Sequence, residues 1–156
     1  MSPPAALNVR VTRKLVEAEG ICTFELSSTD GALLPPFTAG SHIDVHLPGG
    51  LTRQYSLCNN PAETHRYLIG VLRDGASRGG SIAMHEQVHP GSLLRISPPK
   101  NHFALAPEAP RHLLMAGGIG VTPILSMAEQ LAAMGAGFEM HYATRSRART
   151  AFLARL

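Results

Sequence analysis

Only two cysteines, Cys22 and Cys58, occur in the 156 residues of this chain. They cannot frame a disulfide scaffold, nor can they supply the four thiolates of an iron–sulfur cluster, so any such cluster lies outside this chain. Both fall in apolar, strand-like runs and read as small buried hydrophobes. No stretch approaches the roughly 20 apolar residues that cross a bilayer. Met1-Ser2-Pro3-Pro4 also lacks the charged start and apolar core of a secretion signal. The sequence therefore reads as cytoplasmic, with no membrane partner. The formal net charge is only +3 and spread along the chain, so no basic stripe for nucleic acid is indicated. No Ser-His-Asp set or nucleophile elbow is present. With 44% hydrophobic and 16% charged residues, what remains is a soluble globular chain long enough for one domain and part of another.

Short apolar or alternating runs separated by Gly, Pro and Asn fill the first hundred residues. They cover Leu7 to Thr12, Ile21 to Ser27, Ser41 to Leu47, Leu51 to Leu57, Tyr67 to Leu72 and Ser92 to Ile96, the pattern of a small all-β sandwich or barrel. Pro48-Gly49-Gly50 predicts a tight hairpin turn. One helix is expected there, Ser81 to Val88, with Ser81 as N-cap and His89-Pro90-Gly91 as its stop. Beyond the proline-rich stretch that ends at Pro110 the pattern becomes strand (His112 to Ala116), amphipathic helix (Thr122 to Met134) and strand (Phe138 to Tyr142), one βαβ unit. A further helix is expected to open at Thr150. Two units follow, 1–106 and 107–156. Residues 107–156 are expected to form an incomplete domain, since two strands and one helix cannot complete a parallel α/β domain.

Two motifs carry chemistry. Arg53-Gln54-Tyr55-Ser56-Leu57 offers a cation, an aromatic face and a hydroxyl on one strand, with Arg53 and Tyr55 on one face and Gln54 and Ser56 on the other. Gly117-Gly118-Ile119-Gly120-Val121-Thr122-Pro123 follows a strand and opens a helix, the setting of a dinucleotide fingerprint, with Pro123 where a third glycine usually stands. Two weaker elements accompany them. Arg78-Gly79-Gly80-Ser81 leads into a helix start, where free N–H groups and the helix dipole favour an anion and Arg78 adds charge. Gly70, in Ile69-Gly70-Val71, marks either a bulge or the close approach of a ligand or another backbone. After the last strand, Ala143-Thr144-Arg145-Ser146-Arg147 contains no acid to hold a ribose diol. Solvated loop charge is the simpler reading of Arg145 and Arg147.

Together these motifs resemble the ferredoxin reductase superfamily, and Arg78-Gly79-Gly80-Ser81 resembles its phthalate dioxygenase reductase branch. The resemblance implies a six-stranded antiparallel Greek-key flavin-binding barrel over 1–106, followed by the first βαβ unit of an NAD(P)-binding domain. It implies FMN rather than FAD, with Tyr55 against the flavin, Ser56 near its reactive N5, Arg53 near the phosphate, and Ile69, Gly70 and Val71 beside the ring edge. Gln54, Arg78, Gly79, Gly80 and Ser81 join the cofactor set. Gly117, Gly118 and Gly120 are expected to hold NAD(P)H, and Thr122 to reach the flavin from the second unit. The implied activity is electron transfer from NAD(P)H through FMN to an iron–sulfur centre, a [2Fe–2S] domain outside this chain or a Rieske-type oxygenase component. An FAD-type ferredoxin or flavodoxin reductase, or a flavin-binding fragment without turnover, are the alternatives.

A competing pattern is His85-Glu86-Gln87-Val88-His89, which matches the H-E-x-x-H of zinc hydrolases. Pro90 biases His89 away from helical geometry, and no third ligand follows nearby. No metal site is expected.

Overall fold

In the computed structural model, which describes Ser2 and residues 4–156, the first hundred residues form one antiparallel sheet of six strands. These are β1 (Leu7–Ala18), β2 (Ile21–Ser28), β3 (His42–His46), β4 (Thr52–Ser56), β5 (Tyr67–Leu72) and β6 (Leu93–Ile96), in the spatial order β4-β3-β6-β1-β2-β5. Strand β6 slots between the β1–β2 and β3–β4 hairpins, which makes the topology a Greek key. The sheet curls until its ends meet: Leu57 bridges Ile69, and the Cys58 N–H donates to the Leu68 carbonyl at 2.9 Å. Alternation explains the core. Val9 and Val11, Phe24 and Leu26, Ile43 and Val45, Tyr67, Ile69 and Val71, and Leu94 and Ile96 all turn inward to one apolar cluster. The expected hairpin at Pro48–Gly50 is present, with Gly49 and Gly50 both at positive φ, which their missing Cβ atoms allow.

Helix α1 (Gly80–Gln87) closes one mouth of the barrel with Ala83, Met84 and the following Val88. Its anchor is electrostatic. Lys14 Nζ, from β1, donates to the His85 and Val88 carbonyls at 2.6 and 2.9 Å, placing a cation on the negative end of the helix. The N-cap differs from the expectation. It is Gly79, at φ 92°, while Ser81 lies one residue inside the helix with its Oγ accepting from the Asp74 N–H at 3.0 Å. The sharp left-handed entry before Gly80 selects glycine over a hydroxyl cap.

The second unit is a parallel pair, β7 (His112–Gly117) and β8 (Phe138–Ala143), crossed by α2 (Val121–Ala133). Leu114, Ile124, Met127 and Leu131 form its cluster. Past β8 the chain departs from the expected helix. Two short 3-10 turns, Arg147–Arg149 and Leu153–Arg155, flank Phe152, which is at φ 66° and buried. Burial of this ring between the two units outweighs the local helical preference of the sequence.

The units are joined at Gly70. This glycine faces outward from β5, and a Cβ built on it would lie 2.9 Å from Thr122 Cγ2 and 3.2 Å from Phe152 Cζ. Ile21, Cys58, Val121, Leu125, Ala151 and Phe152 close over the seam as a separate cluster. Arg155 crosses it, donating to the Cys58 carbonyl and to Glu129 Oε1, each at 2.6 Å. Cys58, fully buried here, has its thiol pushed up to about 12 by burial, in keeping with an inert apolar role. Among the described residues no helix is long and apolar enough to cross a membrane.

Gly70→Ala should cost about 1–3 kcal/mol through overpacking of the seam, whereas Gly75→Ala, where a Cβ meets nothing within 4 Å, should be near neutral. Urea denaturation of both variants checks the contrast, and equal stabilities would show that the seam is loosely packed.

Candidate functional site

The first cluster of polar groups forms where β4 passes the start of α1. Arg53 runs along the helix entrance so closely that a Cβ on Gly80 would meet its Cγ and Nε at 2.5 Å. One guanidinium N–H of Arg53 donates to the Thr52 carbonyl at 2.8 Å. Arg78, two residues before the helix, is exposed. Among the described residues neither arginine forms a salt bridge with a carboxylate, nor do Arg10, Arg13, Arg95, Arg111, Arg145 and Arg147, whereas Arg66 has two carboxylate partners and Arg73, Arg149 and Arg155 one each. The first-turn amides of Gly80, Ser81 and Ile82 have no acceptor inside the helix. The Arg53 guanidinium thus lies at a helix N-terminus without a carboxylate partner among the described residues, with exposed Arg78 two residues before the helix.

The hydroxyls of this loop serve a different purpose. Ser81 Oγ lies 3.0 Å from the Asp74 amide and 3.1 Å from Ser77 Oγ, and Ala76 donates to Asp74 Oδ1 at 2.9 Å. They fold the 74–81 loop onto itself, and the Gly79 N–H donates to Ser77 Oγ at 3.4 Å. What remains for an incoming anion is backbone N–H and guanidinium, which suits a phosphate.

Along β4, Tyr55 is half-buried and packs on the barrel cluster. Burial raises its phenol above the ordinary range, against a smaller lowering by Arg53. Gln54 is exposed and paired with Asp44 of β3, and Ser56 is paired with His42. Because directly opposed residues share a face, Gln54 and Ser56 point away from Arg53 and Tyr55, as the alternation predicts. Ile69 and Val71 send their side chains into the core, and the Val71 carbonyl accepts from His85 Nε2 at 2.7 Å. Of this segment, Gly70 faces the second unit directly. The approach that its missing side chain permits is that of Thr122 and Phe152. Thr122 is buried, with its hydroxyl donating to the Ile119 carbonyl at 3.1 Å and its methyl on Gly70.

A second opening lies elsewhere, along the seam. A cavity of about 810 Å³ is walled on the barrel side by Glu19–Ile21 and Leu72–Gly75, and on the other by Gly117–Ile119, Ala143–Arg145 and Arg149. It sits at the carboxyl ends of the parallel strands β7 and β8, the position at which open α/β sheets hold ligands. Gly118 is at φ 54° in the turn between β7 and α2. Gly117 and Gly118 therefore line the cavity, while Gly120 and Thr122 lie in the turn and first residues of the helix behind it. Arg53, Tyr55, Ser56 and Arg78 do not line it. The Glu19-Gly20 turn, Asp74 and Arg149 were not marked as site residues by the sequence. A hairpin tip and a loop acid carry no local signal, and only the docking of the units brings them to one opening. Arg149 Nη2 reaches Glu19 Oε1 at 3.5 Å across the rim.

The H-E-x-x-H pattern is dispersed. Helix α1 ends at Gln87, His85 Nε2 is bound to Val71, His89 Nε2 lies 2.9 Å from the Glu86 carbonyl, and Glu86 is paired with Arg73 at 2.7 Å. No group of three His, Cys, Asp or Glu side chains among the described residues could hold a metal.

With this geometry established, the chain can be set beside known proteins. No family model matches it. A vanillate O-demethylase oxidoreductase of Pseudomonas putida is 65% identical over 140 residues, which is 90% of this chain and 44% of that protein. The phthalate dioxygenase reductase of Burkholderia cepacia is 45% identical over 147 residues, 94% of this chain and 46% of that one. Among solved structures, phthalate dioxygenase reductase, described as modular for electron transfer from pyridine nucleotides to [2Fe–2S], superposes with a TM-score of 0.95 at 44% identity, covering 97% of this chain and 48% of its own. The chain thus spans a little under half the length of these relatives.

Gly80→Ala should keep the fold, since this glycine's φ is not in the left-handed region and the clash is with a flexible side chain, but should drive Arg53 from the helix entrance. Protection of the chain against heat by inorganic phosphate should then fall. An unchanged phosphate-dependent shift in melting temperature would mean that Arg53 takes no part in holding the anion.

Proposed function

Because this chain belongs to the phthalate dioxygenase reductase-like branch of the ferredoxin reductase superfamily, we propose that it is the flavin-binding part of an NAD(P)H-dependent oxidoreductase whose cofactor is FMN. The observation that carries this reading is the guanidinium of Arg53 lying, among the described residues, without a carboxylate partner over Gly80, at a helix N-terminus that a side chain would block. Residues 1–106 act as the flavin unit and 107–156 as the start of a nucleotide unit. The FMN phosphate, with about −1.5 to −2 charge near neutrality, would be held by the amides of Gly80 and Ser81 with Arg53 and Arg78, the turn at Gly79 setting the helix entrance. Ending the cofactor there suits FMN, since a single phosphate can complete the charge at this helix entrance. Tyr55 supplies an aromatic face worth about 0.5–1.5 kcal/mol beyond area burial, and Ser56 a hydroxyl for the polar edge.

The seam cavity takes the nicotinamide dinucleotide, with its phosphates near Gly117, Gly118 and Arg145. When bound, the flavin accepts a hydride from NAD(P)H and gives its electrons up singly to an iron–sulfur domain or oxygenase component. The protein's share is orientation: Gly70 lets Thr122 approach β5, which sets the nucleotide turn beside the end of the flavin strand. Two thiols kept as buried hydrophobes suit the reducing cytoplasm.

Purified protein should carry FMN, identified by the mass of the released flavin. Riboflavin, lacking the phosphate, should bind at least about tenfold more weakly, one charge-assisted contact being worth about 1.5–3 kcal/mol. Arg53→Ala and Arg78→Ala should each weaken FMN and leave riboflavin affinity almost unchanged, as read by flavin fluorescence quenching. Equal losses for both flavins, or FAD as the released species, would refute the phosphate assignment.

A further inference from the structure

We infer that Glu19, at the tip of the β1–β2 hairpin, decides between the two nicotinamide dinucleotides: its carboxylate serves the adenosine ribose diol of NAD(H) and turns away the 2′-phosphate of NADP(H). This rests on the seam cavity being the dinucleotide site, as proposed above, and adds a residue that neither nucleotide nor flavin motif contains.

The starting point is a missing acid. In a dinucleotide fold the pyrophosphate sits at the glycine turn, and the ribose lies off the carboxyl end of the second strand, where an Asp or Glu accepts from its hydroxyls. Here that strand is β8, and Ala143-Thr144-Arg145 at its end brings no carboxylate. The barrel brings one instead. The Glu19 N–H donates to the Ala148 carbonyl at 2.8 Å, which pins the hairpin tip to the turn that follows β8. Gly20, at φ 76°, makes the sharp reversal that holds Glu19 there. Glu19 and Gly20 accordingly line the cavity together with Ala143, Thr144 and Arg145.

The carboxylate is placed without being consumed by the fold. Glu19 Oε1 meets Arg149 Nη2 at 3.5 Å, with the two side chains 63% and 49% exposed, so the contact is long, solvent-screened and readily exchanged. The other charged groups lining the cavity are engaged. Arg73 is turned to Glu86 at 2.7 Å, and Asp74 Oδ1 accepts from the Ala76 N–H at 2.9 Å. Arg145 is assigned above to the cofactor's own phosphates. Glu19 and Arg149 are therefore the pair beside the ribose position.

Their charges act differently on the two ligands. Ribose hydroxyls can donate to the Glu19 oxygens while Arg149 steadies the carboxylate. A 2′-phosphate meets Glu19 as a like charge and finds the Arg149 guanidinium already engaged, and both effects act against it. Removing the carboxylate reverses the balance, because Arg149 then stands as a free cation beside the ribose, the chemistry that accepts a 2′-phosphate.

The test titrates NAD+ and NADP+ separately into the purified chain and reads both Kd values by ligand-observed NMR. The wild-type chain should bind NAD+ more tightly. Glu19→Gln, an isosteric change at an exposed position, should move the affinity ratio toward NADP+ by about tenfold or more. The gain for NADP+ should shrink with added salt and vanish when Glu19→Gln is combined with Arg149→Ala, which ties it to the freed guanidinium. If the wild-type chain prefers NADP+, or if Glu19→Gln leaves the ratio unchanged, the role of Glu19 is overturned while the cavity reading stands. If the wild-type chain binds neither dinucleotide, both fall together.

Discussion

The side chain that Gly70 does not have is the constraint on which the arrangement depends. Strand β5 is lined inward by Tyr67, Ile69 and Val71 and would be an ordinary barrel strand with a bare outer face. With hydrogen in place of Cβ at Gly70, the Thr122 methyl and the Phe152 ring come to rest on that face. This fixes where α2 begins, and so where the Gly117–Gly120 turn points. Area decides what holds the contact. Burying Phe152, Val121 and Leu125 contributes about 1.5–3 kcal/mol each, while the partly exposed Arg155–Glu129 pair contributes at most about 1 kcal/mol. Arg155 accordingly selects one docking geometry, and the apolar seam stabilises it. Holding Phe152 at positive φ costs of order 1–3 kcal/mol, which burial of its ring offsets.

Charge is distributed to complement this packing. Lys14 satisfies the carbonyl end of α1 from inside the barrel, and His85 ties the same helix to β5. The helix is therefore held from its C-terminal end and along its length, and its N-terminus is left open. Arg73 and Arg149, by contrast, are neutralised by Glu86 and Glu19. Arg53 and Arg78 have no such carboxylate among the described residues, and they stand beside the positive end of a helix. Concentrating like charge in that way is unfavourable unless an anion completes it, so these two arginines speak more strongly for a ligand than any single motif does.

Strand positions were legible because alternation reports directly on a two-sided sheet, and every strand read from the sequence lies within a residue or two of its place except β1, which runs on to Ala18 through irregular pairing. The hairpin at Pro48–Gly50 and the strand-turn-helix at Gly117 were equally readable, since positive φ and a helix start have local chemical signatures. Ser81 was misplaced as a cap because the sequence shows a hydroxyl before a helix but not the loop acid, Asp74, whose amide engages it. The helix expected from Thr150 failed for the opposite reason: a good local pattern yielded to a distant pocket for Phe152. Glu19, Gly20 and Arg149 could not be read at all, because they become neighbours only when two units dock. The H-E-x-x-H pattern shows the limit of spacing alone, for each of its side chains is drawn to a different backbone or ion partner.

The two candidate binding regions consequently depend on different parts of the structure. Arg53, Gly79 and Gly80 all lie within the barrel and its capping helix, so their geometry is set by β4 pairing with β3 and by Lys14 on α1. The seam cavity has one wall on each unit, and its width follows the packing at Gly70, Phe152 and Arg155. A disturbance of the seam should therefore reach the dinucleotide region while sparing the phosphate cradle. The converse holds for changes at the helix entrance. Ser56 and Thr122 stand on either side of the point where the regimes meet, one at the end of β4 and the other on Gly70. A redox ring placed between them would have its anionic tail at the barrel's helix entrance and its reacting edge toward the seam, which suits a cofactor that must stay bound while its electron donor comes and goes.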